Sequence, residues 1–211
     1  GGIWTPCSAG GGGSVAGSVS TGADIATVET EAAIVCKDLF RGGFHGQISA
    51  AATPYLRQIC VSISQKDRTA RVWDLAKMQC SLVHDFRQEE PLAVSTHPLG
   101  LMCLVSFKDR VKLYNILMDN LQEFRELVVK GCQALAFSHG GAFFAAAANI
   151  NVNIYDTRTL QQLVCFQGHM MTVKELRWSE GDDCVFSSGV DGNVYGWPLR
   201  SQERIDLITS G

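Results

Sequence analysis

The chain has little charge, no long apolar run and no paired cysteine motif, and each shortage removes a class of protein. Only 18% of its 211 residues are charged, and 18 Lys and Arg against 21 Asp and Glu leave a net charge of −3. Binding to phosphate backbones needs a cationic excess, so nucleic acid is excluded as the main partner. The most apolar segment, Gly141 to Ile150, is half alanine and falls short of the roughly 18–20 residues that span a bilayer. A soluble chain with no membrane partner is expected. Disorder is excluded from the other side, because 46% hydrophobic residues are ample for a buried core.

The eight cysteines (Cys7, Cys36, Cys60, Cys80, Cys103, Cys132, Cys165 and Cys184) form no C-x-x-C pair, and most lie inside apolar runs. They read as small buried hydrophobes on strands rather than as metal ligands or a disulfide framework. No secretory signal is visible, so a reducing, cytoplasmic compartment is expected. The Gly, Ser and Ala stretch at 8–22 cannot be a phosphate loop, since such a loop ends in Gly-Lys-Ser/Thr and the first lysine is Lys37. It reads as a linker or inserted loop. The first methionine is Met78, so a start inside a longer protein or after processing is expected.

What the chain does have is a repeat. Four segments carry a polar turn followed by alternating β-branched and aromatic residues. They run Asp67 to Asp74, Asp109 to Asn115, Asn151 to Asp156, and Asp191 to Trp197. Their aromatic anchors Trp73, Tyr114, Tyr155 and Trp197 stand 41, 41 and 42 residues apart. That is the period of WD40 units, each a four-stranded blade. Short strands at Leu92–Thr96, Leu101–Phe107, Val111–Tyr114 and Leu121–Leu127, separated by turns such as His97 to Gly100, predict one such unit. The next two divide in the same way.

The expected fold is therefore all-β, a WD40 β-propeller segment of about four four-stranded antiparallel blades. Its expected divisions are a Gly/Ser-rich flexible segment or loop (1–31) and the last strand of a preceding blade (32–41). Blades follow at 42–87, 88–128, 129–167 and 168–211. Propellers close with about 4–8 blades, and WD40 proteins with about seven, so the expectation is a piece of a larger propeller.

Gly168 and His169 resemble the Gly-His pair that opens a WD40 blade. Ser187 to Gly192 resembles its Ser-Gly-x-x-Asp-Gly turn, and Trp197 the aromatic of its Trp-Asp dipeptide. The resemblance implies a buried hydrogen-bond chain through His169, Ser187, Asp191 and Trp197. His45, Asp67 and Trp73 imply a second copy, whose serine is Ser62 or Ser64 because one extra residue separates Ser62 from Asp67. A β-bulge is expected to absorb it. The blades at 88–128 and 129–167 lack the histidine and are expected to rely on packing. A hydrolase triad is disfavoured because no G-x-S-x-G elbow is present. His84, His97 and His139 are expected to be surface histidines on separate blades, so no metal or cofactor is implied.

Over about residues 42–200 the chain resembles the cilia- and flagella-associated protein fifty-seven family. The resemblance is carried by Glu90 to Ser95 with His97, Pro98 and Gly100, by Gly131, Cys132, Phe137, Ser138, Gly140, Gly141 and Phe144 to Ala146, and by Gly168 to Trp197. It implies an axonemal WD-repeat protein of cilia and flagella that helps dock or regulate inner dynein arms on doublet microtubules. Full-length members also carry a coiled coil. The expected function is a non-catalytic protein-binding scaffold with no small-molecule substrate. The alternative is a general WD40 adaptor of a cytoplasmic or nuclear ubiquitin-ligase or signalling complex. Lys66, Arg68, Lys108 and Arg110, on two neighbouring turns, are expected to form a small basic patch for an acidic protein segment.

Overall fold

A computed structural model describes residues 44–199; the segments expected at 1–31 and 32–41 lie outside them. The described residues fold into four antiparallel sheets, each a meander in chain order. Blade 1 comprises β1 (Ala50–Ala52), β2 (Ile59–Ser64), β3 (Thr69–Asp74) and β4 (Gln79–Asp85). Blade 2 comprises β5 (Ala93–Thr96), β6 (Met102–Ser106), β7 (Val111–Ile116) and β8 (Leu121–Leu127). Blade 3 comprises β9 (Cys132–Phe137), β10 (Phe143–Ala148), β11 (Asn151–Asp156) and β12 (Gln162–Gln167). Blade 4 shows β13 (Val173–Trp178), β14 (Cys184–Gly189) and β15 (Val194–Pro198).

Each blade is thin, so its core is the seam it shares with its neighbour. Val61, Ile63, Val72 and Leu82 of blade 1 pack with Cys103, Val105 and Tyr114 of blade 2. Leu104, Val111 and Leu113 meet Leu135, Phe144 and Tyr155 across the next seam. Ala145, Ala147 and Ile154 meet Val173, Leu176, Trp178 and Val185 across the third. Successive residues of a strand point to opposite faces. Cys103 and Val105 accordingly serve one seam and Leu104 the other, while Phe144 and Ala146 are divided in the same way from Ala145 and Ala147. The alanine run that is too short for a membrane is thus a strand buried on both faces. Each fully buried Val or Leu contributes about 1.5–3 kcal/mol.

The cysteines follow this layout. Cys103 and Cys132 are fully buried, and burial pushes both thiols up to about 12, which suits small apolar fillers and not nucleophiles. Cys165 on β12 is exposed.

The innermost strands β1, β5, β9 and β13 lie side by side and line an open groove of about 690 Å³. In a meander the first-to-second and third-to-fourth turns emerge at one edge, here called the lower edge. The second-to-third turns and the links between blades emerge at the upper edge.

Candidate functional site

The best-connected polar group lies inside blade 4. The Trp197 indole Nε1–H donates to Ser187 Oγ at 2.8 Å, and that oxygen lies 2.8 Å from His169 Nε2. His169 Nδ1 is 2.9 Å from Asp191 Oδ2. An indole N–H only donates, and a carboxylate only accepts. In its neutral form the ring therefore carries its proton on Nδ1, and Nε2 accepts from the serine hydroxyl. Asp191 also receives the backbone N–H groups of Met170 and Asn193, each at 3.1 Å. Burial alone would raise this carboxyl. The bonds from Asn193, His169 and Met170 outweigh that and hold it below the usual carboxylate range. Gly189 makes room for the ring, since a Cβ there would fall 2.7 Å from His169 Nδ1.

Asp191, His169 and Ser187 follow the connectivity of a hydrolytic triad, yet the surroundings remove the nucleophile. Ser187 is 1% exposed, and its oxygen already accepts from Trp197. A serine that no carbonyl can reach braces a blade: each of its polar atoms is satisfied, and unpaired they would be costly.

Blade 1 departs from the expected copy. His45 is exposed, and it is its backbone N–H that donates to Asp67 Oδ2, at 2.8 Å, beside that of Gly46 at 2.9 Å. The Gly46 bond is the main reason Asp67 lies below the usual carboxylate range. The two candidate serines divide the work. Ser62 Oγ accepts from Trp73 Nε1 at 2.6 Å, while Ser64 Oγ accepts from the Asp67 N–H at 3.3 Å. No β-bulge absorbs the extra residue. The ladder runs in register from Ile59–Asp74 to Ser64–Thr69, leaving a four-residue turn with Arg68 at φ 55°. In blade 4 the Gly189 N–H reaches Asn193 O at 3.2 Å, and the turn shortens to three residues around Gly192 at φ 76°.

Blades 2 and 3 fill the aromatic slot with tyrosine. Tyr114 takes edge contacts from Phe86 and His84 of blade 1, with centroids 5.8 and 5.6 Å apart. Tyr155 stacks on Phe144 at 5.2 Å. Ring packing stands where blade 4 has its hydrogen-bond chain.

The upper edge of blades 1 and 2 corrects the expected basic patch. Arg68 pairs with Glu90 at 3.5 Å, and Arg110 pairs with Glu126 at 3.1 Å and Glu89 at 3.9 Å. Lys112, mostly buried, is held by Glu89 at 2.6 Å and Glu123 at 3.1 Å. Among the described residues only Lys66 and Lys108 of the four expected cations lack an ion pair. The surface is a ledge of mixed charge. A polar recess lined by Gln47, Gln65, Lys66, Arg68 and Glu90 lies on it.

A set of links between neighbouring lower-edge turns was not anticipated. Arg57 Nη1 donates to Gly100 O at 2.8 Å. His139 and Gly140 donate their backbone N–H groups to the Asp182 carboxylate, each at 2.7 Å. His97 sits against Gly141, where a Cβ would fall 2.2 Å from its Nε2. His97 is therefore buried, not a surface histidine, and His84 is half-buried in the first seam. The first two links join residues 43 apart, so the repeat period itself was the signal that could have found them.

The meander blades, the seam cores and the Asp–His–Ser–Trp chain define a WD40-type β-propeller segment. The family model described as WD domain, G-beta repeat matches residues 160–197, which hold all four residues of that hydrogen-bond chain. More particularly, the sequence is similar to Cilia- and flagella-associated protein 57 of Mus musculus. The two are 34% identical over 149 residues, or 71% of this chain. Cilia- and flagella-associated protein 57 C of Tetrahymena thermophila is 32% identical over 157 residues. WD repeat-containing protein 1 of Bos taurus is 35% identical over 119 residues, covering 54% of this chain and 20% of that protein. The chain spans 12% of the length of the two cilia- and flagella-associated relatives. Among solved structures, the β-propeller domain of Cps50 (Swd1) from Myceliophteria thermophila superposes with a TM-score of 0.65 at 17% identity. That match covers 76% of this chain and 55% of that one, a likeness of fold.

Proposed function

We propose that the chain is a non-catalytic protein-interaction scaffold, and that the longer protein to which such blades belong works in the ciliary axoneme, where it docks or regulates inner dynein arms on doublet microtubules. The observation that carries this reading is the similarity over 149 residues to a protein named for cilia and flagella. The burial of Ser187, which makes it a brace rather than an exposed nucleophile, agrees with it. The partner-facing element is the mixed-charge ledge, with Lys66 and Lys108 presented to an acidic segment and Arg68 and Arg110 holding its geometry through their ion pairs.

The test is to tag the full-length gene product and separate detergent-extracted axonemes from the soluble cell body. Retention on axonemes is expected, and Lys66→Glu with Lys108→Glu should reduce it without changing the folded structure. A wholly soluble product would overturn the axonemal part. The similarity to WD repeat-containing protein 1 would then favour a general adaptor.

A further inference from the structure

The lower edge of blades 1 and 2 carries apolar residues where turns ordinarily carry polar ones. Tyr55 and Leu56 occupy the first turn of blade 1, Leu99 and Leu101 that of blade 2, and Leu117 and Met118 the third-to-fourth turn of blade 2. All six are about half exposed or more, with Met118 at 92%, Tyr55 at 72% and Leu56 at 71%. Backbone bonds hold the three turns together. The Leu56 N–H donates to Pro98 O at 3.1 Å, and the Ile116 N–H donates to Leu101 O at 2.8 Å. The six side chains therefore stand on one braced surface. Their exposed area is on the order of several hundred Å², at or above the largest patch a monomer usually leaves bare.

This patch has an acidic border. The Tyr55 ring packs on that of His139, with centroids 5.4 Å apart, and His139 is in turn clasped by Asp182. The turn holding Asp182 also carries Glu180 and Asp183, both exposed. One side of the apolar surface thus leads, through two ring and carboxylate contacts, onto a turn with three carboxylates and no cation of its own.

We propose that this lower edge is a second docking surface, and that its occupant is an amphipathic helix of a partner protein whose apolar stripe covers Leu56, Leu101 and Met118 and whose basic end reaches Glu180. Leucine and methionine suit such an occupant, because their adaptable side chains can seat a helix stripe. The acidic turn fixes its direction by charge. The inference rests on the scaffold reading but concerns the edge opposite the ledge of Lys66 and Lys108.

The test uses the full chain and a labelled leucine-striped helical peptide with lysines at one end, beside the same peptide carrying glutamates. Fluorescence anisotropy should show that the lysine peptide binds more tightly than the glutamate peptide. Leu56→Ser, Leu101→Ser and Met118→Ser together should weaken binding at least about tenfold, a change of about 1.4 kcal/mol. Glu180→Lys should remove most of the preference for lysine. Because these side chains are exposed, the urea midpoint should stay in place, so a loss of binding reports on the surface. Equal affinity for both peptides, or indifference to the serine changes, would overturn the proposal. So would a dimer seen in sedimentation and dispersed by those changes, since the occupant would then be a second copy. Peptide binding that fails while axonemal retention persists refutes this surface alone. Loss of retention with peptide binding intact refutes the axonemal reading and leaves the surface standing.

Discussion

Blades 1 and 4 are spelled alike and wired differently. Both have a histidine near the start, a serine on the second strand, an aspartate in the following turn and a tryptophan on the third strand. In blade 4 four positions separate Ser187 from Asp191, the turn is three residues long, and the carboxylate meets the His169 ring. In blade 1 five positions separate Ser62 from Asp67, the turn holds four residues, and the carboxylate meets backbone N–H groups instead. Trp73 keeps its serine, but the imidazole has left the circuit. One residue in a turn therefore decides whether a blade is braced through a buried side-chain relay or through two shorter, local sets of bonds.

That contrast is open to measurement by urea unfolding. The largest effect is expected from His169→Ala, which strips Ser187 and the buried Asp191 carboxylate of their common partner and should cost about 2–4 kcal/mol. Ser62→Ala removes a single bond to Trp73 and should cost about 1–2 kcal/mol. An acid titration comes next. Asp191 and Asp67 are held below their usual range in the folded chain. Their contribution is fully present above the unfolded carboxylate value near 4 and is lost as pH falls through the lower folded values. Stability should drop in that acid window, and Asp191→Asn should be weaker at neutral pH but flatter below about pH 4. The smallest effect is expected from His45→Ala, within about 0.5 kcal/mol, because that side chain is exposed and its backbone bond survives. If His45→Ala cost as much as His169→Ala, the distinction between the two blades would collapse.

Much of the architecture was legible from spacing. Intervals of 41, 41 and 42 between Trp73, Tyr114, Tyr155 and Trp197 placed the third strand of every blade, and most strand limits lie within one or two residues of the expected ones. β9 begins as early as Cys132, because Cys132 still pairs with Ala148 across a register shift that no local pattern announces. The site was legible where one blade supplies every group, as with His169, Ser187, Asp191 and Trp197. It was hidden where a second blade or link supplies the partner. Arg68 and Arg110 look like free cations in their own turns, but Glu89 and Glu90, which pair with them, come from the link leading into blade 2. His97 looks like a surface residue until Gly141 of the next blade leaves it a place to sink into.

The exchange of tryptophan for tyrosine in the middle blades has an optical consequence. Among the described residues the strong emitters are Trp73 in blade 1, Trp178 in the seam between blades 3 and 4, where it donates to Ala136 O at 3.0 Å, and Trp197 in blade 4. Blade 2 and its two seams hold none. The emission of these three indoles, excited on the red side of the tyrosine band, will therefore watch blade 1 and the last seam open while blade 2 stays dark. A tyrosine-to-tryptophan exchange at Tyr114 would place a lamp in that gap.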